Sequence, residues 1–381
     1  MTRDICVGVV TTSFPEHAAD PAGRFVHTQV GIWAEQLRAL NAGARIDVVA
    51  VGKVQAQTPF YDGVVYRVAS CGLFDGAGAP EVWEAARGIQ RFGLAAEAIR
   101  VTLGMAQEVR SRARNWTHVQ SHWLVPSALA VACAVPHVPH TAFVHSGDVA
   151  VLESMPGGRA LAVWLLARLA RVVCVSDDLQ RRLRSLAGSG WPDRLLVDVN
   201  PMPIDEAVFA KAEAVVQPRR GVVGVGRLVP IKGFDVLLFA VGGLPAKLRP
   251  RVCLLGEGPQ RSRLRELGRR LKIDLEMPGL VPPGEVAGAL GRAQVCVIPS
   301  RTLASGRTEG SPVVAAEALA CGAAVIASAV GGLQGLAGRA GVELVKAADV
   351  QGLRVAVHAV LSGDVRRIGS TLVRKETPNC V

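Results

Sequence analysis

The stretch GVVGVGRLVPIKGFDVLLFAV, residues 221–241, carries two patterns on either side of one loop. It opens with a short β-branched run that ends at Gly226, the composition of a buried strand. From Gly233 onward it is a longer apolar run that reads as a helix. Arg227 and Lys232 stand in the loop between them. Strand, loop and returning helix form the unit of a parallel sheet, because parallel neighbours need a crossover connection.

The unit repeats outward in both directions. Downstream come the strands RVCLLG (251–256), LEMPGLV (275–281), QVCVIPS (294–300) and AVIAS (324–328). Helical patterns at 258–271, 282–293 and 311–322 separate them. Upstream, ICVGVVTTSF (5–14), IDVVAV (46–51), THVQSH (117–122), HTAFVH (140–145) and RVVCVS (171–176) read as strands. Helices are expected at 25–40, 126–135, 159–170 and from Asp177. Between the two series, VDVNPMPIDEAVF (197–209) has two prolines and no periodicity. The expectation is an α/β protein of two Rossmann-like lobes facing a central cleft. Its parts are an N-terminal lobe at 1–198, a linker at 199–209, a C-terminal lobe at 210–365 and a tail at 366–381.

Composition agrees and excludes. The chain's 381 residues favour two domains, and half are hydrophobic with few aromatics. No uninterrupted apolar run is long enough for a membrane span, and MTRDICVGVVTTSFP reads as a strand rather than a signal peptide, so a cytoplasmic protein is expected. The eight cysteines are scattered without a CxxC pair and read as reduced thiols. No HExxH, zinc signature or Asp-x-Asp triplet occurs, so no metal site is expected. A net charge of +11 favours anionic partners, although a solvated arginine-rich surface explains it equally well. Basic residues are not interleaved with aromatics, so no nucleic-acid partner is expected.

A second stretch, RTEGSPVVAAEALACGAAVIAS (307–328), sets two glutamates eight residues apart. Ser311 reads as the cap of a helix, Pro312 as its first residue and Gly322 as its end. Glu309 then lies just outside the helix and Glu317 ~9 Å along it. The amides near Ser311, Val313 and Val314 form an anion site between them. That order suits ribose, diphosphate and sugar, and Arg227 and Lys232 suit the diphosphate charge. Each pattern also has a plainer explanation, as solvated side chains around a helix start or a loop.

Together these motifs resemble the retaining glycosyltransferases of the GT-B fold, family 4. The resemblance rests on SFPEHAADPAGRFV (13–26), VHSGD (144–148), VSDDLQRRL (175–183), NPMPID (200–205), GVGRLVPIKGFDVLL (224–238), LLGEGPQRSRL (254–264), GLVPPGEVAGALGRAQVCVIPSR (279–301) and the Glu-x7-Glu segment at 309–317. It runs from residue 8 to about 345 in the expected order.

The resemblance implies roles. Glu309 would hold the donor sugar, Glu317 the ribose, and Arg227 and Lys232 the diphosphate. Gly310, Ser311, Pro312 and Val313 would meet phosphate and sugar; Leu280 and Val281, with Gly279, the nucleobase; Gly256 and Gly258 the nucleotide. In the N-terminal lobe, Gly23 would let backbone approach phosphate, and His145 would lie beside the sugar. His145 also fits an ordinary buried histidine, His122 is ambiguous, and Asp148 reads as a helix cap. The implied reaction moves a hexose from a nucleotide diphosphate sugar to a hydroxyl of a glycan, lipid-linked saccharide or small-molecule acceptor, with no cofactor and no metal. A sugar-nucleotide epimerase of the same fold, or a nucleotide-sugar-binding protein, is the alternative. GGRALAVWLLARLARVV (157–173) reads either as an internal helix or as a surface helix at an anionic membrane. Two departures stand out: Gly335 takes a position often acidic in the family, and the tail is short and polar.

Overall fold

The computed structural model describes residues 5–16, 23–41, 43–52, 58–60, 63–70, 89–210 and 219–363. The tail at 366–381 and residues 17–22 of the N-terminal glycine loop lie outside them. Two compact units emerge, one of Met1–Pro203 with Ala304–Ser311, the other of Ile204–Leu303 with Pro312–Val381.

The first unit is built on a sheet of eight strands among the described residues, in the order β3-β4-β2-β1-β5-β6-β7-β8. The strands are β1 (Cys6–Thr11), β2 (Arg45–Gly52), β3 (Thr58–Phe60), β4 (Gly63–Ala69), β5 (His118–His122), β6 (His140–Val144), β7 (Arg171–Cys174) and β8 (Leu196–Val199). All pairings are parallel except β3 with β4 at the edge. The helices are α1 (Arg24–Leu40), α2 (Ile89–Arg112), α3 (Leu129–Ala134), α4 (Ser146–Ser154), α5 (Gly158–Leu166) and α6 (Asp177–Ala187). Val26 and Val30 of α1 pack on Val9, Ile46 and Val48 on one face of the sheet. Val101, Met105 and Val109 of α2 pack on Val10, Val49 and Val119 of other strands. Alternate residues along β1 therefore enter different cores, as a sheet covered on both faces requires.

The second unit has a six-stranded sheet among the described residues, in the order β11-β10-β9-β12-β13-β14, parallel throughout. Its strands are β9 (Val222–Val225), β10 (Val252–Leu255), β11 (Leu275–Gly279), β12 (Val295–Ile298), β13 (Ala324–Ser328) and β14 (Val342–Val345). Its helices are α7 (Glu206–Phe209), α8 (Phe234–Gly242), α9 (Arg261–Arg270), α10 (Pro283–Arg292), α11 (Val313–Ala320) and α12 (Val350–Leu361). One core joins α8, α9 and α12 around Phe234 and Leu238, and the other joins α10 and α11 around Leu290 and Ala318.

The strand–helix alternation holds, with differences. The expected linker ends in α7, whose Phe209 is 4% exposed and packs with Val223 and Ala315. The segment at 157–173 is not one surface helix: α5 stops at Leu166 and the chain re-enters the sheet at Arg171. Ala162, Leu165 and Leu166 are buried in the unit, so the apolar side of α5 faces protein. Nine residues span only ~13 Å. No helix of the described residues is long and apolar enough to cross a membrane.

Candidate functional site

In the second unit the chain leaves β9 for β10 and β11 on one side, then returns to β12 on the other. The winding reverses between β9 and β12, and the crevice beyond their carboxyl ends is where ligands of open α/β sheets bind. Arg227 and Lys232 lie in the loop after β9, and α11 starts beyond the loop after β12. The two loops touch: the Arg301 amide donates to the Ile231 carbonyl at 2.9 Å. The Arg301 guanidinium also pairs with Asp235 in the first turn of α8.

Lys232 closes a tight 3-10 turn, Pro230–Lys232, and Gly233 caps α8. The lysine side chain folds back over the end of β9: a Cβ added at Gly226 would sit 3.3 Å from its Cε and 3.8 Å from its Nζ. Its ammonium therefore lies over Gly226 at the carboxyl end of β9.

Gly256 explains why this edge is glycine-rich. Its φ is +135°, and a Cβ there would fall 2.1 Å from the Gly226 carbonyl oxygen. The neighbouring bonds are Gly226 N to Leu255 O at 2.9 Å and Leu228 N to Glu257 O at 2.8 Å. The glycine is thus required by the approach of one loop to the next, before any ligand is considered. We expect Gly256→Ala to lower the unfolding free energy by roughly 1–3 kcal/mol, measured by urea unfolding.

The helix start differs by one residue from the sequence reading. Pro312, not Ser311, is the cap of α11, with φ −70° and ψ 115°, and the helix begins at Val313. Ser311, preceding a proline, is disfavoured from helical dihedrals, and Pro312 itself stays extended. The leading amides are those of Val313 and Val314, since Ala315 N already bonds Pro312 O at 3.2 Å. Glu317 is half-buried in the second turn of α11. Its charge helps raise the buried Cys296 thiol, after the larger effect of burial, which places Glu317 close to β12. Leu280 is 59% exposed at the end of β11, whereas Val281 packs against the core. Gly335, in a 3-10 turn, has open space where a side chain would go, so packing does not demand the missing acid.

In the first unit the winding reverses between β1 and β5. Gly23 caps α1 at φ +67°, and a Cβ there would lie 2.2 Å from the Ser13 carbonyl oxygen. Its close approach is to its own loop. Phe25 lies 6.0 Å from Trp123 and 5.4 Å from His145, ring to ring, which joins the loops after β1, β5 and β6.

His145 caps α4 and is 8% exposed. Its Nε2 meets His122 Nδ1 at 3.3 Å, so one imidazole donates and the other accepts. Burial lowers His145 to about 3. Burial, and then the charge of His145, hold His122 well below the usual range. Both rings are neutral near pH 7, and His145 acts there as a hydrogen-bonding group rather than a cation.

Asp148 is the third residue of α4 and caps its start from there, closing a capping box with His145. Its carboxylate accepts from the amides of Leu124 at 2.8 Å, His145 at 3.0 Å and Val149 at 3.1 Å. Burial pushes its pKa up to about 7, against the pull of those bonds. It ties the loop after β5 to the loop after β6 and positions His145.

Glu309 groups with the first unit, through Ala304–Ser311, although Glu317 belongs to the second. Arg307, Thr308 and Glu309 are all buried. Gly310 backs onto α4 and α6: a Cβ there would meet Ser146 Cβ at 3.2 Å and Leu179 at 3.4 Å. The structure thus groups Glu309, Gly310 and Ser311 with His145 and Gly23, and Arg227, Lys232, Gly256, Gly258, Leu280, Val281, Pro312, Val313 and Glu317 in the other unit. Arg301 and the His122 pairing went unread in the sequence. Asp148's second role had a signal, an acid three residues after a helix cap. Among the described residues no group of three or more His, Cys, Asp or Glu side chains converges on a possible metal site.

Residues 219–363 match the family model described as Glycosyl transferases group 1. The chain is 31% identical over 280 residues to a D-inositol 3-phosphate glycosyltransferase of Kineococcus radiotolerans, covering 65% of this chain and 62% of that protein. It is 31% identical over 222 residues to the GDP-mannose-dependent monoacylated alpha-(1-6)-phosphatidylinositol monomannoside mannosyltransferase of Corynebacterium glutamicum, covering 56% and 58%. The chain thus spans about six-tenths of the length of these curated relatives. Sucrose-phosphate synthase from Thermosynechococcus elongatus superposes with a TM-score of 0.70 at 18% identity, over 96% of this chain and 92% of that one. A trehalose-6-phosphate protein from E. coli bound with UDP-2-fluoro glucose superposes with a TM-score of 0.72 at 13% identity, over 96% and 93%. At such identities the likeness establishes the fold.

Proposed function

We propose that the chain, whose residues 219–363 match the group 1 glycosyl transferase model, transfers a hexose from a nucleoside diphosphate sugar to an acceptor hydroxyl, retaining the anomeric configuration. The observation that carries this reading is the pair of joined loops at the β9/β12 reversal, with Arg227 and Lys232 on one and the α11 amides beyond the other.

When the glycosyl bond breaks, negative charge grows on the departing diphosphate. Fixed cations and amide dipoles then stabilise the transition state more than the ground state. Arg227 offers a planar fork and Lys232 a point charge. Val313 and Val314 add the leading amides of a helix. Glu317 takes the ribose hydroxyls and Glu309 those of the sugar. The diphosphate oxygen receives the acceptor's proton on the face it leaves, which preserves configuration. No metal is needed in this scheme. His145, neutral and held by Asp148 and His122, contributes a hydrogen bond to the sugar without changing charge between pH 5 and 9.

Relatives named for D-inositol 3-phosphate and for a phosphatidylinositol monomannoside favour an anionic polyol as acceptor, and the net charge of +11 suits one. Titration calorimetry with UDP-, GDP- and ADP-sugars tests the donor site. One nucleotide class should bind, with equal affinity in EDTA. Failure of all three, or affinity restored only by manganese, refutes the reading.

A further inference from the structure

The opposite edge of the second sheet holds a cavity of about 760 Å³, below the starts of β9 and β10. Its walls include Arg220, Lys247, Arg249, Arg251, Arg292 and His358. Against these five permanent cations the lining offers one carboxylate, Glu276. That acid is already paired with Arg251 at 3.1 Å.

Three features make this more than a basic surface. Arg249 is fixed, donating to the carbonyls of Leu244 and Leu271 at 2.9 Å each, so its charge cannot swing away. Arg220 and Arg292 are brought together by the bond from Arg220 N to Arg292 O at 2.8 Å. No ion pair involves Arg220, Lys247 or Arg292 among the described residues. Like charges gathered in a concavity with low-dielectric walls focus a positive potential, which an anion relieves. The volume falls in the range of small-ligand pockets.

We propose that this cavity is a second anion site, taking a compact polyphosphate or a sugar phosphate. The lining fits such a ligand better than a nucleotide: its apolar members, Leu248, Pro250 and Leu361 among them, are aliphatic, and no Phe, Tyr or Trp lines it to sandwich a base. The chain's own residues 364–381 are a poor occupant, with four basic side chains (Arg366, Arg367, Arg374, Lys375) against two acidic ones (Asp364, Glu376). The donor-side cations Arg227 and Lys232 follow β9, whereas Arg220 precedes it, so the two sites lie at opposite sheet edges and are separable by mutation.

The test is calorimetric titration of the full chain with inorganic tripolyphosphate. The wild type and Lys232→Ala should bind alike at the new site. Arg220→Glu/Arg292→Glu should weaken binding by roughly tenfold or more, and the milder Arg220→Gln/Arg292→Gln should follow the same direction. Unchanged thermal unfolding midpoints establish that the variants fold. Tripolyphosphate binding lost in Lys232→Ala but kept in the double variants overturns the proposal, as does equal binding in all forms or none in the wild type. A parallel arm uses phosphatidylglycerol vesicles. Vesicle binding that the double variants abolish, with no binding of free tripolyphosphate, moves the site to a lipid headgroup and overturns the small-molecule assignment.

Discussion

Replacing Lys232 by alanine is expected to slow glycosyl transfer by roughly 10²–10³-fold, the size of effect seen when one preorganised charge donor is removed from a transition state. The unfolding free energy should move by no more than about 0.5 kcal/mol, because the residue is half-buried at the end of a short turn and carries no core packing. The turn itself is held from elsewhere, by the Arg301–Ile231 bond and by Gly233 against Pro299. The loss should therefore appear in kcat and in donor affinity without a change of fold. Lys232→Arg should recover only part of the rate, since a planar fork does not replace a point charge in the same place. Transfer at the wild-type rate in Lys232→Ala would remove the diphosphate clamp and with it the proposed chemistry.

The second large effect is expected at Asp148. Its carboxylate accepts from an amide in each of two loops and from one in α4, and Asp148→Ala leaves the loop donors buried without it. A stranded donor costs about 1–3 kcal/mol, so a total loss of roughly 2–5 kcal/mol is expected. The pH dependence has a definite sign. The folded pKa is raised from 3.8 to about 7, mainly by burial. This group's contribution to stability is therefore fully present below pH 4 and is lost as pH rises through 7. The deficit of Asp148→Ala should be larger at pH 5 than at pH 8, measured by urea unfolding at both. A deficit that grows with pH would show that the carboxylate, not the protonated acid, is the form the fold favours.

How much of this was legible beforehand depended on where the determinants lie. Units whose signal is local were readable: β9, the loop with Arg227 and Lys232, and α8 follow directly from a β-branched run, a Pro-Gly loop and an apolar helix. The cap of α11 shifted by one residue because serine and proline propensities at a helix start compete over adjacent positions. The segment at 157–173 left two readings open, an internal helix or a surface one, because composition does not say what an apolar face packs against; in α5 that face is buried in the unit. The pairing of His122 with His145 was invisible, since 23 residues separate them and only the β5–β6 register brings them together. The same holds for Arg301, whose contact with the loop after β9 depends on strand order. The spacing put Glu309 just ahead of the helix that carries Glu317, but could not show that Ala304–Ser311 groups with the first unit.

Phe209 has a practical consequence for dissecting the molecule. It sits at the end of α7, just ahead of residue 210, yet its ring belongs to the later core and its carbonyl accepts from the Cys321 thiol at 3.3 Å. A recombinant fragment or chimera cut at 210 would leave a phenylalanine-sized hole beneath the very helix that carries Glu317. Cutting at 204 keeps that plug, so the connector should travel with the downstream half whenever halves are exchanged between related chains.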